Sequence, residues 1–421
     1  MYGNTSIPGT VLGQQPVYGR VGNPIAKEKP VQSSRPPEAD LPRGLNYYAD
    51  YSGCGHWRMI WPEQLLNAYQ KCIIHGSSVM ILDDRYYAGI KAVRIQRQAT
   101  EQQLQFIKHL RTIADDHKFR LLYEIDDVCL REDIPDYNKF KFAFDTDAIR
   151  STIIEMMELT DEMTVTCQFM KDYYASKTNH KNITVLPNYL PKFWIGRHYS
   201  RRKLENDFRE NVKKPRILYA GSGAHFDVSN KVNQQDDFAH VNHVIRQTVD
   251  KYQWVFLGGY PQTITDLVRA GKIEFHPWKP LYDYPEQIYN LNINCMVAPL
   301  MDNNFNKAKS NLKYIEACAF GIPIVCQDMC TYHDAPYKFN TGDDMIDQIK
   351  EVLSGTSNYM LLSDRARAHA DTMWLEDNIG CYQELYTTDV GDLSRKHLNA
   401  LNGIGSPSPE VKSVTRSLSP A

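Results

Sequence analysis

The sequence lacks any apolar run close to the roughly 18 residues that a membrane helix requires, so we expect no membrane partner. No apolar segment of the signal-peptide kind follows Met1, and we therefore expect a cytoplasmic location. The nine cysteines include no Cys-x-x-Cys pair, which argues against a disulfide framework or a zinc knuckle and fits a reducing compartment. The net charge of −2 identifies no nucleic-acid binder by itself, because local patches matter more than totals.

Both ends of the chain have almost no hydrophobic periodicity. Residues 1–44 contain seven prolines and six glycines, and the segment 396–421 carries "SPSPE" and "SLSPA". Such compositions cannot bury enough apolar surface to offset the entropy lost on ordering. We therefore predict a disordered arm over 1–44 and a disordered tail over 396–421.

Between these ends, short apolar strands alternate with amphipathic helices in two series, and 421 residues exceed one ordinary core. Strand–helix alternation predicts parallel sheets with right-handed crossovers. We predict an α/β fold class with two doubly wound, Rossmann-like domains that face a cleft. The predicted boundaries are 45–190 for the first domain, 191–215 for a basic linker and 216–372 for the second domain. The strands expected near the start include 45–50 and 78–82.

The segment "AKSNLKYIEACAFGIPIVC" (308–326) predicts a loop, a helix over 311–320 and a buried strand. Lys309 and Lys313 stand just before and within the first helical turn. An ammonium beside a helix N-terminus is unfavourable unless an anion also lies there. A diphosphate would supply that anion, although lysines on a solvated face are the alternative. Glu316, one turn further on, would either bind a ribose or pair with Lys313.

Two glycine-containing turns follow predicted strands, one in each half. Glycines there let backbone N–H groups approach a phosphate, although an ordinary βα turn is the alternative. The turns lie in "RILYAGSGAHFDVSN" (216–230) and "YSGCGHWRMIWPEQLL" (51–66). Together they suggest the two walls of one anionic ligand site. The candidate ligand-binding residues are Gly221, Ser222, Gly223 and His225 in the second half and Gly53, Gly55 and Arg58 in the first.

Carboxylates follow the strand that ends in "YEIDDVC". Asp126 and Asp127 could serve in acid/base chemistry, hold sugar hydroxyls or simply cap the next turn. Neighbouring carboxylates on an extended chain point to opposite faces, which makes a bidentate metal site improbable. His240 and His243 have no evident third ligand, so we predict no metal site.

The segment from Lys192 to Arg216 holds nine Lys or Arg against three acids, with aromatic residues interleaved. A solvated linker between domains is one interpretation. A track for a nucleic-acid backbone beside the cleft is the other. Its candidate residues are Arg197, Arg201, Arg202 and Lys203.

The segment "SNLKYIEACAFGIPIVC" resembles the EAxAxGxPVV donor-binding helix of retaining GT-B glycosyltransferases of the glycogen and sucrose synthase group. "GSGAHFD" is similar to the first turn of their donor domain, and "VFLGG" to its next strand. "MWLEDNIGCYQELY" (373–386) is similar to the terminal helix that crosses back to the first domain, which we place at 373–390. The resemblance covers roughly Tyr48 to Tyr386.

The resemblance implies that the first domain presents the acceptor and the second holds a nucleotide sugar. Glu316 should then hold the ribose, and the amides of Ser310, Asn311 and Leu312 should hold the diphosphate with Lys309. Gly53 to Gly55 should flank the donor. The family's pattern has a second Glu eight positions before Glu316, where this chain has Ala308. That departure removes the usual acidic contact to the transferred sugar.

The form "IDDVCLREDIPDYNKF" (125–140) further resembles glycosyltransferases of large tailed bacteriophages, some of which modify 5-hydroxymethylcytosine in DNA with glucose or arabinose. We therefore expect a retaining hexosyl- or pentosyltransferase that uses a UDP-sugar, needs no cofactor or metal, and has DNA as acceptor. It would work in the cytoplasm, the host's if phage-encoded. Asp126, Asp127 and His56 are the candidates for orienting the acceptor or the sugar.

Three alternatives stay open at this point. The first alternative is an enzyme that transfers sugar to a cell-surface glycan, lipid or protein. The second is a non-catalytic nucleotide-sugar or DNA-binding protein, which Ala308 favours. An epimerase-like enzyme would need Tyr-x-x-x-Lys beside a cofactor site. "YYAGIK" (86–91) has that spacing, but only before a strand.

Overall fold

A computed structural model describes residues 41–227 and 235–388. The chain forms two six-stranded parallel sheets there, which confirms the predicted fold class. We call residues 41–190 the first lobe and residues 216–372 the second lobe. Most of the predicted N-terminal arm, the whole predicted tail and residues 389–390 of the predicted crossing helix lie outside the described residues. The first strand begins at Arg43, within the last two residues of the arm that we predict over 1–44.

The first sheet has the order β2-β1-β3-β4-β5-β6, with every neighbouring pair parallel. The chain moves outward from β1 to β2 and then crosses to the other side of β1. The direction in which successive strands are added to the sheet therefore reverses between β1 and β3. Ligands of such sheets bind at the carboxyl ends of the strands beside this point. Its strands are β1 Arg43–Tyr47, β2 Ile73–Ser77, β3 Ile90–Gln96, β4 Arg120–Glu124, β5 Glu162–Val165 and β6 Ile183–Val185.

The second sheet has the order β12-β11-β10-β7-β8-β9 and is also parallel throughout. It reverses between β7 and β10, so the loops after these two strands border the expected ligand position. Its strands are β7 Arg216–Ala220, β8 Gln253–Gly258, β9 Glu274–Pro277, β10 Cys295–Ala298, β11 Ile324–Gln327 and β12 Tyr337–Phe339.

Helices connect the strands and cover the sheets. α3 shows why: Thr100 and Gln103 form a capping box at its start, and Leu104, Ile107 and Leu110 make one buried face. A π-helical turn over His56–Ile60 joins α1 to α2. The helices are α1 Gly53–Gly55, α2 Trp61–Ala68, α3 Glu101–His117, α4 Asp147–Glu158, α5 Gln168–Lys177, α6 Arg201–Glu210, α7 Asn242–Thr248, α8 Thr265–Arg269, α9 Tyr284–Asn290, α10 Asn304–Lys307, α11 Leu312–Phe320, α12 Gly342–Val352, α13 Thr356–Ala370 and α14 Leu375–Thr387.

The strand expected at 78–82 is wrong. The strand is β2, five residues earlier, and it occupies the edge position beside β1. Val79 and Leu82 are 70% and 67% exposed, so the apolar run that suggested a strand lies at the surface. Asp83 caps the 3-10 turn that follows by accepting from the Arg85 N–H at 3.1 Å.

The C-terminal helix α14 packs against the first lobe. The Tyr386 hydroxyl donates to Asn46 Oδ1 at 2.6 Å. The same ring lies against Gly44, where a Cβ would come within 2.4 Å of it. Leu190 and Trp374 form a parallel bridge just before the helix. α14 therefore fastens the end of the second lobe to the first.

Aromatic rings fill the base of the cleft between the lobes. Trp194, in the connection between the lobes, lies 4.9 Å from Trp57 and 5.0 Å from Trp61 of the first lobe, measured between ring centroids. Its ring stacks on Tyr284 of the second lobe at 5.9 Å and 5°. One hydrophobic core therefore contains side chains of both lobes, and this core fixes the carboxyl ends of the two sheets in one neighbourhood.

Candidate functional site

The N-terminus of α11 offers uncapped amides. No side chain caps the helix at Asn311. The N–H groups of Ser310, Asn311, Leu312 and Lys313 have no acceptor among the residues that the structure describes. These residues are only partly buried. A helix N-terminus carries a partial positive charge and unsatisfied donors, so this end of α11 is open to an anion.

Two lysines accompany these amides. Lys313 Nζ lies 3.3 Å from His225 Nε2 and 5.1 Å from the centre of the Tyr219 ring. Burial, and then the neighbouring charge of Lys309, lower the pKa of Lys313 to about 8. No carboxylate within the described ranges forms an ion pair with Lys309 or Lys313. An anion bound here would relieve the repulsion between the two ammonium groups.

His225 is held by a buried carboxylate. Its Nδ1 lies 2.7 Å from Asp237 Oδ2, so Nδ1 carries the hydrogen and Nε2 is left to accept from Lys313. Burial, and then the charge of Lys313, lower the pKa of His225 to about 3. The neutral imidazole thus orients the lysine and carries no charge of its own near neutral pH.

Asp237 also joins the lobes. Its Oδ1 accepts from the Tyr137 hydroxyl of the first lobe at 2.8 Å and from the Met301 N–H at 2.9 Å. The Asn306 amide donates to the same oxygen at 2.6 Å. Burial raises the pKa of this carboxyl, but the hydrogen bonds outweigh burial and leave it below its usual value. The carboxylate is therefore ionised and ties the second-lobe turn to a first-lobe loop.

The turn Gly221–Gly223 follows β7 at the point where the second sheet reverses. The Gly221 N–H donates to Leu257 O at 3.0 Å, and the Ser222 hydroxyl accepts from the Ala224 N–H. The N–H groups of Ser222 and Gly223 have no acceptor in the described part of the chain. At Gly223 a Cβ would lie 3.4 Å from Lys139 Nζ of the first lobe. The turn therefore adds two open amides to the site.

Glu316 lies one turn along α11 and is 7% exposed. Its Oε2 accepts from the Tyr284 hydroxyl at 3.0 Å. Burial raises the pKa of Glu316 to about 7, partly opposed by Tyr284 and Lys313. The predicted pairing of Glu316 with Lys313 is not the contact that the structure makes, since Tyr284 holds the carboxyl. A second Oε is left to accept from a ligand.

Across the cleft, the first lobe presents Asp126 and Asp127 after β4. Asp126 Oδ1 lies 3.6 Å from Arg97 Nη1. Asp127 Oδ1 is buried and has no hydrogen-bond partner within the described ranges. Burial raises the pKa of Asp127, although the charge of Lys309 opposes the shift. Asp127 is thus close enough to feel the charge of Lys309, but neither carboxylate forms an ion pair with that lysine within the described residues.

The first-lobe glycine turn differs from what we expected. Asp50 Oδ1 accepts from the N–H groups of Ser52 at 2.7 Å and of Gly55 at 3.2 Å. At Gly55 a Cβ would lie 1.9 Å from Asp50 O, so this glycine is required by packing. Gly53 has open space around it apart from Trp57. A carboxylate of the protein already occupies this amide turn.

His56 and Arg58 follow that turn with different surroundings. His56 Nδ1 lies 2.8 Å from Ser52 O, and its ring packs edge-on against Trp61 and Tyr282. It borders the aromatic base of the cleft. Arg58 is fully buried, and its role as a donor-binding residue stays a prediction.

Arg58 belongs to a buried charge cluster. Its Nε lies 2.5 Å from Glu124 Oε1, and its Nη1 donates to Leu186 O at 2.7 Å and to Asn188 Oδ1 at 2.8 Å. Arg94 shares the same carboxylate. Burial raises the pKa of Glu124, but the two guanidinium groups lower it more, so the pKa lies below its usual value. The cluster reaches the donor side through Asn188, whose Nδ2 donates to Ser310 Oγ at 2.9 Å.

Two of the four candidate basic residues of the connection, Arg201 and Lys203, pair with carboxylates. Arg202 is exposed and has no hydrogen-bond or ion-pair partner among the described residues, whereas the other three candidates contact side chains of the second lobe or of their own segment. The contacts are Arg201 with Asp364 at 2.9 Å, Lys203 with Asp207 at 2.5 Å and with Asn292 at 2.6 Å, and Arg197 with His198 at 3.3 Å.

This basic segment lies near the C-terminal end of α11. Tyr199 and Leu204 pack against Gly321, the C-cap of α11. The nine residues of α11 separate that end from its N-terminus by about 13 Å. The segment that carries Arg197, Arg201, Arg202 and Lys203 therefore packs at the opposite end of the helix, and the role of these residues in nucleic-acid binding stays a prediction.

Ala308 explains the missing acid in structural terms. It is 0% exposed and belongs, with Phe305, to the hydrophobic core of the first lobe. Its carbonyl oxygen lies 3.5 Å from Cys167 Sγ of that lobe. A carboxylate at this position would be buried among apolar side chains, which is costly without a partner. In this chain the position packs the lobes together.

Sequence patterns did not single out several residues that the structure brings to the site. Tyr284 could not be connected to Glu316 without the fold, nor Asn188 to Ser310. Trp278 is 54% exposed and lies over Gly258, where a Cβ would come within 2.4 Å of its ring. The position of Trp278 directly after β9 is the one feature of this set that the sequence itself displays. The remaining members of this set are Tyr137, Asp237 and Lys139.

No group of three or more His, Cys, Asp or Glu within residues 41–227 and 235–388 is arranged to hold a metal ion. None of the helices in the same ranges is long and apolar enough to cross a membrane.

No family model matches the chain, and no curated protein is significantly similar to it. Among solved structures it is similar to an S. aureus TarM variant in complex with fondaparinux, alpha-GlcNAc-glycerol and UDP. The identity is 10% and the TM-score 0.45, and the match covers 70% of this chain and 55% of that chain. It is similar to a T4 phage BGT mutant with UDP-glucose, at 9% identity and a TM-score of 0.43, covering 82% and 99%.

A third similar structure is an alpha-glucosyltransferase with UDP and a 13-mer DNA containing an HMU base. The identity is 11% and the TM-score 0.46, with 86% of this chain and 98% of that chain covered. The chain thus spans about 55% of the length of the TarM structures it matches. At such identities and TM-scores the chemistry of this chain has to be inferred from its own residues.

Proposed function

We propose that this protein is a glycosyltransferase that moves a sugar from a UDP-sugar to an acceptor hydroxyl. One observation carries the proposal: open amides and two lysines without carboxylate partners surround the N-terminus of α11, and the opposite lobe presents two carboxylates. The first group of residues suits a diphosphate, and the second suits the hydroxyls of a sugar or an acceptor.

In this proposal the donor lies against the second lobe. The amides of Ser310 to Lys313 and the ammonium groups of Lys309 and Lys313 bind the diphosphate. Glu316, held by Tyr284, accepts from the ribose. The exposed face of Trp278 stacks on the uracil, since an aromatic ring and a base share flat apolar faces. The site so described needs no metal ion, because protein cations neutralise the diphosphate.

The reaction breaks the bond between the anomeric carbon and the diphosphate oxygen and forms a bond from that carbon to the acceptor oxygen. Positive charge develops on the sugar ring, and negative charge develops on the leaving diphosphate, where the lysines stabilise it. We propose a retaining outcome, in which the acceptor attacks on the face that the diphosphate leaves and gives its proton to the diphosphate. Asp126, Asp127 and His56 orient the acceptor or the sugar.

For the acceptor we propose a hydroxymethylated base in DNA, with glucose or arabinose as the sugar. The loop after β4 carries the residues that support this acceptor. Phe140 and Phe142 of that loop are 50% and 78% exposed beside the cleft-lining residue Lys139. Exposed aromatic rings are stacking surfaces for extruded bases. The protein would then act in the cytoplasm.

The test is mass spectrometry of DNA containing 5-hydroxymethylcytosine after incubation with the protein and each of several UDP-sugars. We expect a hexose or pentose to be added to the modified base and not to unmodified cytosine. UDP release is measured in the same reactions. Release of UDP without modified DNA would remove the DNA acceptor but keep the transferase.

A non-catalytic nucleotide-sugar-binding protein is the second candidate function, because Ala308 leaves no carboxylate where the transferred sugar is expected. The same reactions distinguish it. A protein that only binds would show UDP-sugar binding in calorimetry. It would release no UDP, either without an acceptor or in the presence of DNA or any other acceptor.

A further inference from the structure

Lys139 reaches from the first lobe to the donor turn of the second. It stands on the loop that follows β4, and its Nζ lies 3.4 Å from the position that a Cβ would take at Gly223. Gly223 carries one of the open amides and stands two residues before His225, which contacts Lys313. The ammonium group of Lys139 is thus the first-lobe cation that lies against the proposed diphosphate site.

The loop holds Lys139 there from both sides. The preceding Tyr137 donates to Asp237 Oδ1 at 2.8 Å, and the Asn306 amide donates to the Tyr137 hydroxyl at 3.0 Å. Asn138 is 5% exposed, and its Oδ1 accepts from the Phe140 N–H at 2.9 Å. The backbone at Lys139 is therefore fixed relative to the second lobe, although the side chain itself is exposed.

Lys139 has no carboxylate partner within the described residues, and its nearest described ring is Phe140, 5.0 Å from Nζ. Lys309 and Lys313 are unpaired in the same sense. By contrast, Lys141, two positions further along the same loop, lies 2.7 Å from Asp136 at the surface. These three ammonium groups from two lobes form no ion pair within the described residues, so an anion bound among them would be stabilised by all three.

We propose that Lys139 binds the diphosphate of the nucleotide sugar from the first lobe, so that donor binding is completed only when both lobes contribute. The inference rests on the proposed function and adds a residue that no motif indicated. Tyr137 acts as a positioning residue, because its hydrogen bond to Asp237 holds the loop against the turn that carries His225.

The proposal also assigns a reason for glycine at position 223. Any side chain there would extend into the space between the turn and Lys139, where the phosphate oxygens of the donor would lie. The backbone at this glycine shows no left-handed φ, so approach of the ligand and of Lys139 is the remaining reason for its small size.

The experiment compares binding of UDP and of uridine by calorimetry, using the full chain. Variants are Lys139→Ala, Lys139→Arg and the matched control Lys141→Ala. We expect Lys139→Ala to weaken UDP binding about tenfold or more, the usual effect of removing a charge-assisted contact, and to leave uridine binding unchanged. Lys139→Arg should restore most of the UDP affinity, and Lys141→Ala should match the wild type for both ligands.

Tyr137→Phe provides a second measurement. It removes only the hydroxyl, so we expect several-fold weaker UDP binding and a modest fall in the thermal midpoint, because a buried hydrogen bond to Asp237 is lost. The double variant Tyr137→Phe/Lys139→Ala should bind UDP about as weakly as Lys139→Ala alone, because both changes act through the same ammonium group.

The outcomes separate the two proposals. If the wild type binds UDP no more tightly than uridine, the proposed diphosphate site itself is overturned. If the wild type prefers UDP and Lys139→Ala keeps that preference, only the role of Lys139 is overturned. Equal losses for UDP and uridine in Lys139→Ala would indicate a structural role and would likewise overturn it.

Discussion

The two glycine turns at the carboxyl ends of β1 and β7 look alike in sequence, but they are filled differently. In the first lobe, the carboxylate of Asp50 accepts from the Ser52 and Gly55 amides and pairs with Arg97 at 2.6 Å. In the second lobe, no carboxylate of the described chain accepts from the amides of Ser222 and Gly223. One turn holds an internal anion, and the other is open to an external one.

The difference teaches that glycine after a strand does not by itself indicate a phosphate site. The deciding features are the free amides and the unpaired cations. Arg97 is neutralised by Asp50, whereas Lys313 forms no ion pair within the described residues and its Nζ contacts the neutral His225. A ligand site is therefore expected where the protein leaves its own charges unbalanced.

The largest effect should follow from removing the cations of the open turn. We expect the double variant Lys309→Ala/Lys313→Ala to lower kcat/KM for UDP-sugar by about 10²-fold or more, because preorganised positive groups stabilise the leaving diphosphate. Steady-state UDP release measures this. The first-lobe counterpart Arg97→Ala should reduce thermal stability and leave UDP affinity within about twofold. A similar loss of UDP affinity in both variants would erase the distinction between the turns.

The glycines themselves sharpen the comparison. Gly55→Ala places a Cβ 1.9 Å from Asp50 O, so we expect the free energy of unfolding to fall by about 1–3 kcal/mol or more. Gly223→Ala meets only the flexible end of Lys139 at 3.4 Å. Its stability should stay within about 0.5 kcal/mol, while UDP binding weakens.

Urea unfolding and calorimetry, run on both glycine variants, give the two quantities. The comparison fails if Gly223→Ala loses as much stability as Gly55→Ala, since the second-lobe turn would then be closed by packing as well.

Carboxyl groups of the two lobes should give opposite pH dependence. Burial raises the pKa of Glu316 from 4.5 to about 7. Its contribution to stability is therefore present at low pH and is lost as the pH rises through about 7, an effect of about 1–3 kcal/mol. The pKa of Asp50 is lowered, because bonds from Ser52 and Arg97 outweigh burial. The contribution of Asp50 to the free energy of unfolding is lost as the pH falls below the usual pKa of an aspartate.

Unfolding free energies of Glu316→Gln and Asp50→Asn across pH 3–8 test this. Glu316→Gln, which can still accept from Tyr284, should flatten the curve above about pH 5. Asp50→Asn should flatten it at the acid end. A Glu316→Gln curve parallel to that of the wild type between pH 5 and 8 contradicts the assigned shift.

The smallest effect is expected at the basic segment near the C-cap of α11. Arg201→Ala removes an exposed pair with Asp364, so stability should change by less than about 0.5 kcal/mol and UDP affinity should not change. Filter retention of duplex DNA at low and moderate salt measures whether Arg201 and Arg202 bind DNA away from the donor site. Loss of UDP affinity in Arg201→Ala would show that this segment reaches the donor after all.

Much of the fold could be predicted from the sequence because it depends on local signals. Helix α11 and strand β11 follow from apolar spacing, Gly321 and Pro323. The strand expected at 78–82 failed because edge pairing with β1 was taken by Ile73–Ser77, which no local pattern reveals. The positions of Lys309, Lys313 and Glu316 near one helix end were likewise readable from their spacing.

What the sequence by itself determined is the two series of strands and helices and the helix whose first turn carries lysines, since these depend on neighbours along the chain. Only the tertiary structure decided which charges are already paired. Arg58 and Arg97 are neutralised by Glu124 and Asp50, whereas Lys139 meets the second-lobe turn from far away in the chain. Pairing depends on which side chains share a neighbourhood in space, and folding sets that neighbourhood.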